Sequence, residues 1–107
     1  MALESKIKNV SIVVKANVYF EGKVVSHTVE LSDGSKKTLG FIYPGSFCFD
    51  TTTTERMDIV AGSCRVRLNG HDDYKSFSAG GTFEVPAHQS FDITVENGVV
   101  EYVCSYL

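Results

Sequence analysis

Two segments of the chain combine glycine, proline and ionisable side chains at spacings that turns alone do not require. Residues 43–62 are YPGSFCFDTTTTERMDIVAG, and residues 80–91 are GGTFEVPAHQSF. Glu55 follows a polar run and leads into an apolar segment, so its carboxylate could accept hydrogen bonds at a strand end or simply close a hairpin. His88 lies in a PAHQS turn, where an imidazole could donate a proton, bind an anion or occupy the turn without a further role. Glu55 and His88 are therefore candidate site residues.

Basic, hydroxyl and aromatic side chains around these segments could bind an anion or stack on a planar ring. Lysine, arginine and threonine side chains, with backbone amides, can surround an oxyanion, although threonine runs are common in strands and surface lysines are usually solvated. Aromatic rings in a β protein more often pack in the core than against a ligand. The predicted substrate-binding residues are Lys23, Lys36, Thr51, Arg56, Phe47 and Phe91.

Alternating apolar residues and many β-branched side chains predict that these residues are positioned by short strands. The connections carry turn signals and leave no room for a crossover helix, so the sheet must be antiparallel. About ten short strands favour an all-β sandwich or a closed barrel, in which closure removes exposed edges. The predicted strands are 10–15, 23–31, 37–43, 46–51, 55–61, 64–68, 74–78, 82–85, 90–95 and 99–106.

Length and composition predict one globular domain. The chain has 107 residues, of which 43% are hydrophobic and 21% charged, and it contains no internal repeat or linker. We expect residues 17–107 to form the barrel domain and residues 1–16 to form an N-terminal arm or an added edge strand.

Charge and cysteine usage limit the partners and the compartment. A formal charge of −3, with ten scattered basic residues, lacks the footprint of a nucleic-acid-binding protein. No segment has the length of a membrane span, and the first residues do not resemble a secretory signal. Three widely separated cysteines are typical of reduced core thiols. We therefore expect a cytoplasmic protein that binds neither nucleic acid nor membrane.

The spacing within the two segments resembles the signature motifs of the cupin barrels. Glu55 precedes Gly62 by seven residues, and Gly80 precedes Pro86 by six. In cupins, two histidines and a glutamate from the first motif and a histidine from the second bind a metal. Here the first segment contains no histidine, and Phe91 stands where the second motif would carry one. A catalytic transition metal needs about three converging protein ligands, so we predict a cupin-like antiparallel β-barrel of the jelly-roll type without a metal or other cofactor.

From residue 17 onward the chain resembles one metal-free cupin family, the pyrimidine/purine nucleoside phosphorylases. The matching segments are NVYFEGKVVSHT, KKTLGFIYPGSFCFDT, ERMDIVAGSCRVRL, FSAGGTFEVPAHQSFDI and the terminal YVCSYL, in unbroken order. The resemblance implies phosphate-dependent cleavage of nucleosides to free base and ribose 1-phosphate, with broad tolerance for the base. Nucleosides and inorganic phosphate would then be the partners.

On this hypothesis Glu55 orients the ribose and stabilises its developing positive charge, while His88 assists the departing base or binds phosphate. An apolar N-terminal strand leaves an edge that a second copy could cover, which predicts a homodimer. Two alternatives remain open at this point. One is a non-catalytic barrel that binds a nucleotide or a sugar phosphate, and the other is a metal-dependent cupin enzyme.

Overall fold

Residues 5–107, which the computed structural model describes, form eleven strands and one 3₁₀ turn at Phe20–Gly22. The strands are β1 (Ser11–Ile12), β2 (Asn17–Tyr19), β3 (Val24–Glu30), β4 (Lys36–Ile42), β5 (Gly45–Asp50), β6 (Glu55–Ala61), β7 (Ser63–Leu68), β8 (Lys75–Ser78), β9 (Thr82–Val85), β10 (Ser90–Val95) and β11 (Val100–Tyr106). Each strand pair is antiparallel. The predicted all-β, antiparallel architecture is confirmed.

The strands form two sheets that pack face to face. The larger sheet has seven strands in the order β1-β3-β4-β11-β6-β9, with β2 also paired to β3, and the smaller has four in the order β5-β10-β7-β8. The backbone hydrogen bonds of the described residues do not join the two sheets into a closed barrel. The predicted jelly-roll type is therefore seen as a sandwich, whose sheets are held together by side-chain packing.

The core lies between the sheets because alternate side chains of each strand point inward. Aliphatic residues from both sheets are almost completely buried: Val24, Ile42, Ile59, Val85, Ile93, Val95 and Val100. In β6, Met57 and Ile59 face this core while Arg56 and Val60 face outward. In β11, by contrast, every residue from Tyr102 to Ser105 is buried. The outward residues of β4 and β6 include the exposed side chains of Leu39, Phe41 and Val60.

The structure corrects the prediction at the N-terminal segment. The strand expected over 10–15 is reduced to β1, which pairs with Val29 and Glu30 at the edge of the larger sheet. The short strand β2, which was not predicted, pairs with the other end of β3. The proposed boundary at residue 16 stays a prediction, and residues 1–4 lie outside the described part of the chain. Of the three predicted core thiols, Cys64 and Cys104 are buried and Cys48 is exposed.

Candidate functional site

A cavity of about 240 Å³ lies between the sheets, where the cupin-like spacing predicted a site. Its volume is slightly below the range of about 300–1,000 Å³ usual for small-molecule sites. Residues from seven strands line it: Tyr19, Ser26, Thr38, Ile42, Phe49, Asp50, Glu55, Met57, Phe91, Tyr102, Cys104 and Tyr106. Two of these residues are acidic and none is basic, so the lining favours a neutral or cationic ligand group.

The larger sheet supplies a polar wall of this cavity. Its inward side chains at Ser26, Thr38, Tyr102 and Tyr106 carry hydroxyl groups, and Thr38 Oγ1 lies 3.3 Å from Tyr106 Oη. Burial raises the pKa of Tyr102 to about 12, and burial also raises the pKa of Tyr106. Both tyrosines are therefore protonated at neutral pH and can donate hydrogen bonds to a ligand.

Gly40 makes room for this wall. A Cβ at this position would lie 2.6 Å from the Val25 carbonyl oxygen and 2.8 Å from Tyr102 Oη. The glycine thus allows the tyrosine hydroxyl to approach the backbone of β4, beside Ser26. This close approach is a packing requirement, since the backbone of Gly40 is not in the left-handed region.

Glu55 begins β6 at the edge of the polar wall. It is paired with Tyr106 across the sheet, and its Oε1 accepts a hydrogen bond from the Cys104 thiol at 3.3 Å. Burial raises the pKa of Glu55, and the Cys104 hydrogen bond opposes that rise. The pKa of Cys104 is raised to about 12 by burial and by the Glu55 charge, so the thiol keeps its proton and acts as the donor.

Aromatic side chains form the opposite wall. The rings of Phe49 and Phe91, on the smaller sheet, are stacked with centroids 5.5 Å apart. The Phe20 ring packs against Phe49 at 5.4 Å and against Phe47 at 4.9 Å. Phe20 and Glu21 both have positive φ angles, of 51° and 57°, an unfavourable conformation for such residues that is often found beside functional sites. This turn places Tyr19 and Phe20 next to the stacked rings.

Two of the predicted site residues line the cavity, namely Glu55 and Phe91. Phe47 is buried in the core, in contact with Phe20 rather than in the lining. Thr51 is also buried, and its hydroxyl donates to the Pro86 carbonyl at 2.6 Å. Its hydroxyl additionally accepts from the Gln89 amide, so Thr51 anchors the connection before β10 instead of facing the cavity.

The predicted basic residues and His88 lie outside the lining. Arg56 faces the outer side of β6, with its Nε 3.4 Å from Asp58 Oδ2, and Lys23 is exposed after the 3₁₀ turn. Lys36 is exposed at the start of β4, at the rim beside Tyr106 by strand register. His88 is exposed with a φ of 58°, and its amide donates to the Thr51 carbonyl. The expected convergence of Glu55 and His88 on one cavity is not seen.

Most residues of the polar wall were not predicted from the sequence. Tyr102, Cys104 and Tyr106 are alternate residues of β11, and Thr38 lies on the neighbouring β4. The available signal was a strand whose inward positions carry polar groups among apolar ones. That pattern is too common in tyrosine-rich strands to identify a site without the neighbouring strands.

The sequence matches the pyrimidine/purine nucleoside phosphorylase family over residues 14–106. The chain belongs to this family. A relative from Paraburkholderia xenovorans, named pyrimidine/purine nucleoside phosphorylase, is 50% identical over the full length of both chains. One of the same name from Thiobacillus denitrificans is 50% identical over 95% of this chain and 98% of its own.

Solved structures support the fold of this family. A protein of unknown function from Acinetobacter superimposes with a TM-score of 0.94 at 40% identity, covering 97% of this chain and 100% of its own. A cupin superfamily protein from Desulfitobacterium hafniense gives a TM-score of 0.64 at 16% identity, over 88% of this chain and 84% of its own. The second likeness concerns the fold alone, and it confirms the predicted cupin-like class.

Residues 5–107 contain neither a metal-ligating cluster nor a membrane-spanning helix. Within them, no three His, Cys, Asp or Glu side chains lie together in a metal-ligating arrangement. The same residues contain no helix that is long and apolar enough to cross a membrane. The absence of a cofactor stays a prediction of the sequence analysis.

Proposed function

We propose that this chain is a broad-specificity nucleoside phosphorylase, a pentosyltransferase, and that the cavity beside Glu55 is its active site. The observation that carries the proposal is a half-buried carboxylate on a hydroxyl-lined wall, opposite stacked aromatic rings, in a chain half identical to relatives of that name. In this reaction a phosphate oxygen bonds to the anomeric carbon as the glycosidic C–N bond breaks. The bond's electron pair leaves with the base, which takes up a proton.

The ribose is proposed to lie against the polar wall. The transition state of N-glycosidic cleavage carries positive charge on the sugar ring, as in glycoside hydrolysis. The Glu55 carboxylate would accept hydrogen bonds from ribose hydroxyls and stabilise that charge, and its half-buried position strengthens the interaction. The protonated hydroxyls of Tyr102 and Tyr106 would donate to the sugar or to the departing base.

The base is proposed to stack on the aromatic wall of Phe49 and Phe91. Stacking is available to purines and pyrimidines alike, because both present a π face. Discrimination between bases requires buried polar groups that are left unpaired by the wrong base. Here the hydroxyl groups of the lining lie on the ribose side, and Asp50 is the one ionisable lining residue on the sheet that carries the rings, so the arrangement favours broad tolerance.

Phosphate is proposed to bind at the rim, near Lys36. Lys36 is on the same face of β4 as Thr38 and Ile42, which point inward. Because Lys37 pairs with Ser105, Lys36 lies beside Tyr106, and Glu55 is two strands away. A flexible lysine can reach an anion from such a position. Lys23 and Arg56 are less suited, since Lys23 is exposed beyond the turn and Arg56 faces the outer side of the sheet.

One observation favours a second candidate, a non-catalytic nucleoside-binding protein. The lining described above holds no basic side chain, so phosphate has no partner deep in the cavity. Such a protein would bind the nucleoside in the same way but would release no product.

The experiment is to incubate purified protein with a panel of purine and pyrimidine nucleosides, with and without phosphate, and to measure free base and ribose 1-phosphate. Glu55→Gln protein purified in parallel reports any contaminating phosphorylase. We expect both products only when phosphate is present, from the unmodified protein and from nucleosides of both classes. Binding without products would favour the second candidate, and free base without phosphate would indicate hydrolysis.

The predicted homodimer is proposed to form through the outer face of the larger sheet. A groove of about 560 Å³ there is lined largely by apolar side chains, among them Ile12, Val14, Leu39, Phe41 and Val60. Since monomers rarely expose large apolar patches, a second copy covering this face would explain the exposed apolar side chains of the groove.

Phe41→Asp should yield monomers in sedimentation, whereas Val99→Asp, at an exposed valine outside the groove, should not. A wild-type monomer at micromolar concentration would contradict the proposal.

The cytoplasm remains the proposed compartment. Its support is chemical: the three cysteines are free thiols, and the two buried ones lie in the core instead of in a disulfide. Reduced thiols of this kind persist in the reducing cytosol.

A further inference from the structure

Cys104 is a buried thiol in the cavity wall that the proposed reaction does not itself use. It lies in β11 between Thr38 of β4 and Met57 of β6 by register, and only 3% of its surface is exposed. Among the described residues, it is the only side chain that donates a hydrogen bond to the Glu55 carboxylate. The thiol therefore contacts the group on which the proposed chemistry depends.

The other groups around Glu55 do not replace this contact. Tyr106, across the sheet, has its hydroxyl 3.3 Å from Thr38 Oγ1. Asp50 from β5 carries a like charge at the cavity, and Tyr19 from β2 lines the cavity. Phe91 from β10 and Val85 from β9 present no ionisable group, while Lys36 on β4 is two strands away by register.

We propose that Cys104 is a positioning residue, whose thiol hydrogen holds Glu55 Oε1 against β11 and leaves Oε2 to accept from the ribose. This inference rests on the proposed function. A carboxylate in a partly buried site would otherwise favour its neutral form, which neither attracts the ribosyl cation nor accepts as strongly. A hydrogen bond to the charged form favours that form, so Cys104 extends the ionised state of Glu55 to lower pH.

A thiol suits this position because one side of the residue has a polar environment and the other an apolar one. One side faces the carboxylate, and the other packs in the apolar core, where Cys104 is grouped with Ile42, Met57 and Tyr102. Free cysteine behaves as a small hydrophobic residue with a weak S–H donor. It can therefore fix the direction of the carboxylate without leaving a strongly polar group unpaired in the core.

The test compares Cys104→Ala and Cys104→Val, which lack a donor, with Cys104→Ser, which keeps one. Cys64→Ala is the matched control, because Cys64 is a buried thiol whose raised pKa of about 11 comes from burial alone. Two measurements are made on each: the pH profile of kcat/KM for a nucleoside with phosphate, and the titration of the Glu55 carboxyl carbon by ¹³C NMR. Glu55→Gln assigns the NMR signal.

We expect the Glu55 titration and the acid limb of the rate profile to move together to higher pH in the Ala and Val variants. Near pH 5.5 these variants should lose about threefold to tenfold more kcat/KM than near pH 8. Cys104→Ser should restore the wild-type profile, and Cys64→Ala should lower stability without moving either curve. If one donor-free variant fails to fold, the other provides the same comparison.

The outcomes separate this inference from the proposed function. Unchanged Glu55 titration in a folded donor-free variant overturns the role of Cys104, whether or not the protein is a phosphorylase. A wild-type protein without turnover overturns the proposed function, while the NMR titration still reports whether the thiol controls the Glu55 charge. A uniform loss of rate at all pH values in the Ala, Val and Ser variants would also contradict the inference, because it would indicate a packing effect.

Discussion

The charge of Glu55 is expected to favour catalysis and to oppose stability. Glu55→Gln keeps the shape and the hydrogen-bonding capacity of the side chain but removes the charge that stabilises the ribosyl cation. We expect kcat to fall about 100-fold with a much smaller effect on nucleoside binding, because the lost interaction strengthens mainly in the transition state. Steady-state kinetics and calorimetric binding would measure both quantities, with Glu84→Gln, at an exposed position on the neighbouring strand, as the control.

The same variant should be more stable than the wild type at neutral pH. Burial raises the pKa of Glu55, so the folded state holds its proton more tightly than the unfolded chain. The contribution of Glu55 to the free energy of unfolding is then highest at low pH and falls as the pH rises through the elevated pKa. Glu55→Gln does not lose this stability as the pH rises, because its side chain carries no charge. Its advantage over the wild type should disappear near pH 4. If Glu55→Gln were less stable than the wild type by the same amount at neutral pH and near pH 4, Glu55 would have a purely structural role.

The sequence and the structure lead to different predictions for the role of His88. The motif places it among the catalytic residues, whereas the structure places it in an exposed turn with a positive φ. His88→Asn removes the imidazole and suits the left-handed backbone, which asparagine tolerates. On the structural grounds we expect turnover within about twofold of wild type and an unchanged pH profile near neutrality. A loss of tenfold or more would restore His88 to the reaction.

The residues of the site were predictable to unequal degrees. Glu55 and Phe91 followed from their places in two recognisable segments. Tyr102 and Cys104 did not, because their role depends on the register that brings β11 between β4 and β6. Thr51 was predicted from its hydroxyl, but in the structure that hydroxyl is bonded to the backbone near Pro86 and Gln89. Side-chain chemistry alone does not distinguish a ligand contact from a hydrogen bond to a backbone segment that is distant in sequence.

At the scale of elements, the close packing of β3, β4 and β11 depends on Gly40. Gly40→Ala would push a methyl group toward the Val25 carbonyl and the Tyr102 hydroxyl. We expect a loss of about 1–3 kcal/mol in the free energy of unfolding from overpacking, together with weaker nucleoside binding as Tyr102 is displaced into the cavity. Urea denaturation and binding calorimetry would measure the two effects. Wild-type values for both the free energy of unfolding and nucleoside binding would show that β3, β4 and β11 move apart easily to accommodate the methyl group.

Strand prediction succeeded where the sequence alternates and failed at the N-terminal segment. The segments of β6 and β10 alternate clearly, and both strands were predicted within their observed bounds. The expected strand over 10–15 was too long, because only Ser11 and Ile12 pair in register with β3, whose other end pairs with β2. The length of an edge strand depends on how much of its neighbour is free to pair, which its own sequence does not report.

For the whole molecule, the buried thiols and Tyr102 predict sensitivity to alkaline pH. The pKa of Cys64 rises from 9.0 to about 11, that of Cys104 from 9.0 to about 12 and that of Tyr102 from 10.0 to about 12. Above about pH 9 the unfolded chain therefore loses protons that the folded state retains, and stability falls with rising pH. The denaturant midpoint should decrease steadily up to about pH 11. Cys64→Val should flatten that decrease, and an identical slope in this variant would contradict the assignment.

Chain order has a consequence for how the protein is made. Of the eleven described strands, β11 is the last to be synthesised, yet it lies between β4 and β6 in the interior of the larger sheet. Until its residues leave the ribosome, β4 and β6 have no neighbour to join them, and both expose unpaired backbone edges. The cavity also lacks Tyr102, Cys104 and Tyr106 until then. Nascent chains stalled before residue 100 should therefore be open to proteases and chaperones, with protection gained abruptly when β11 emerges.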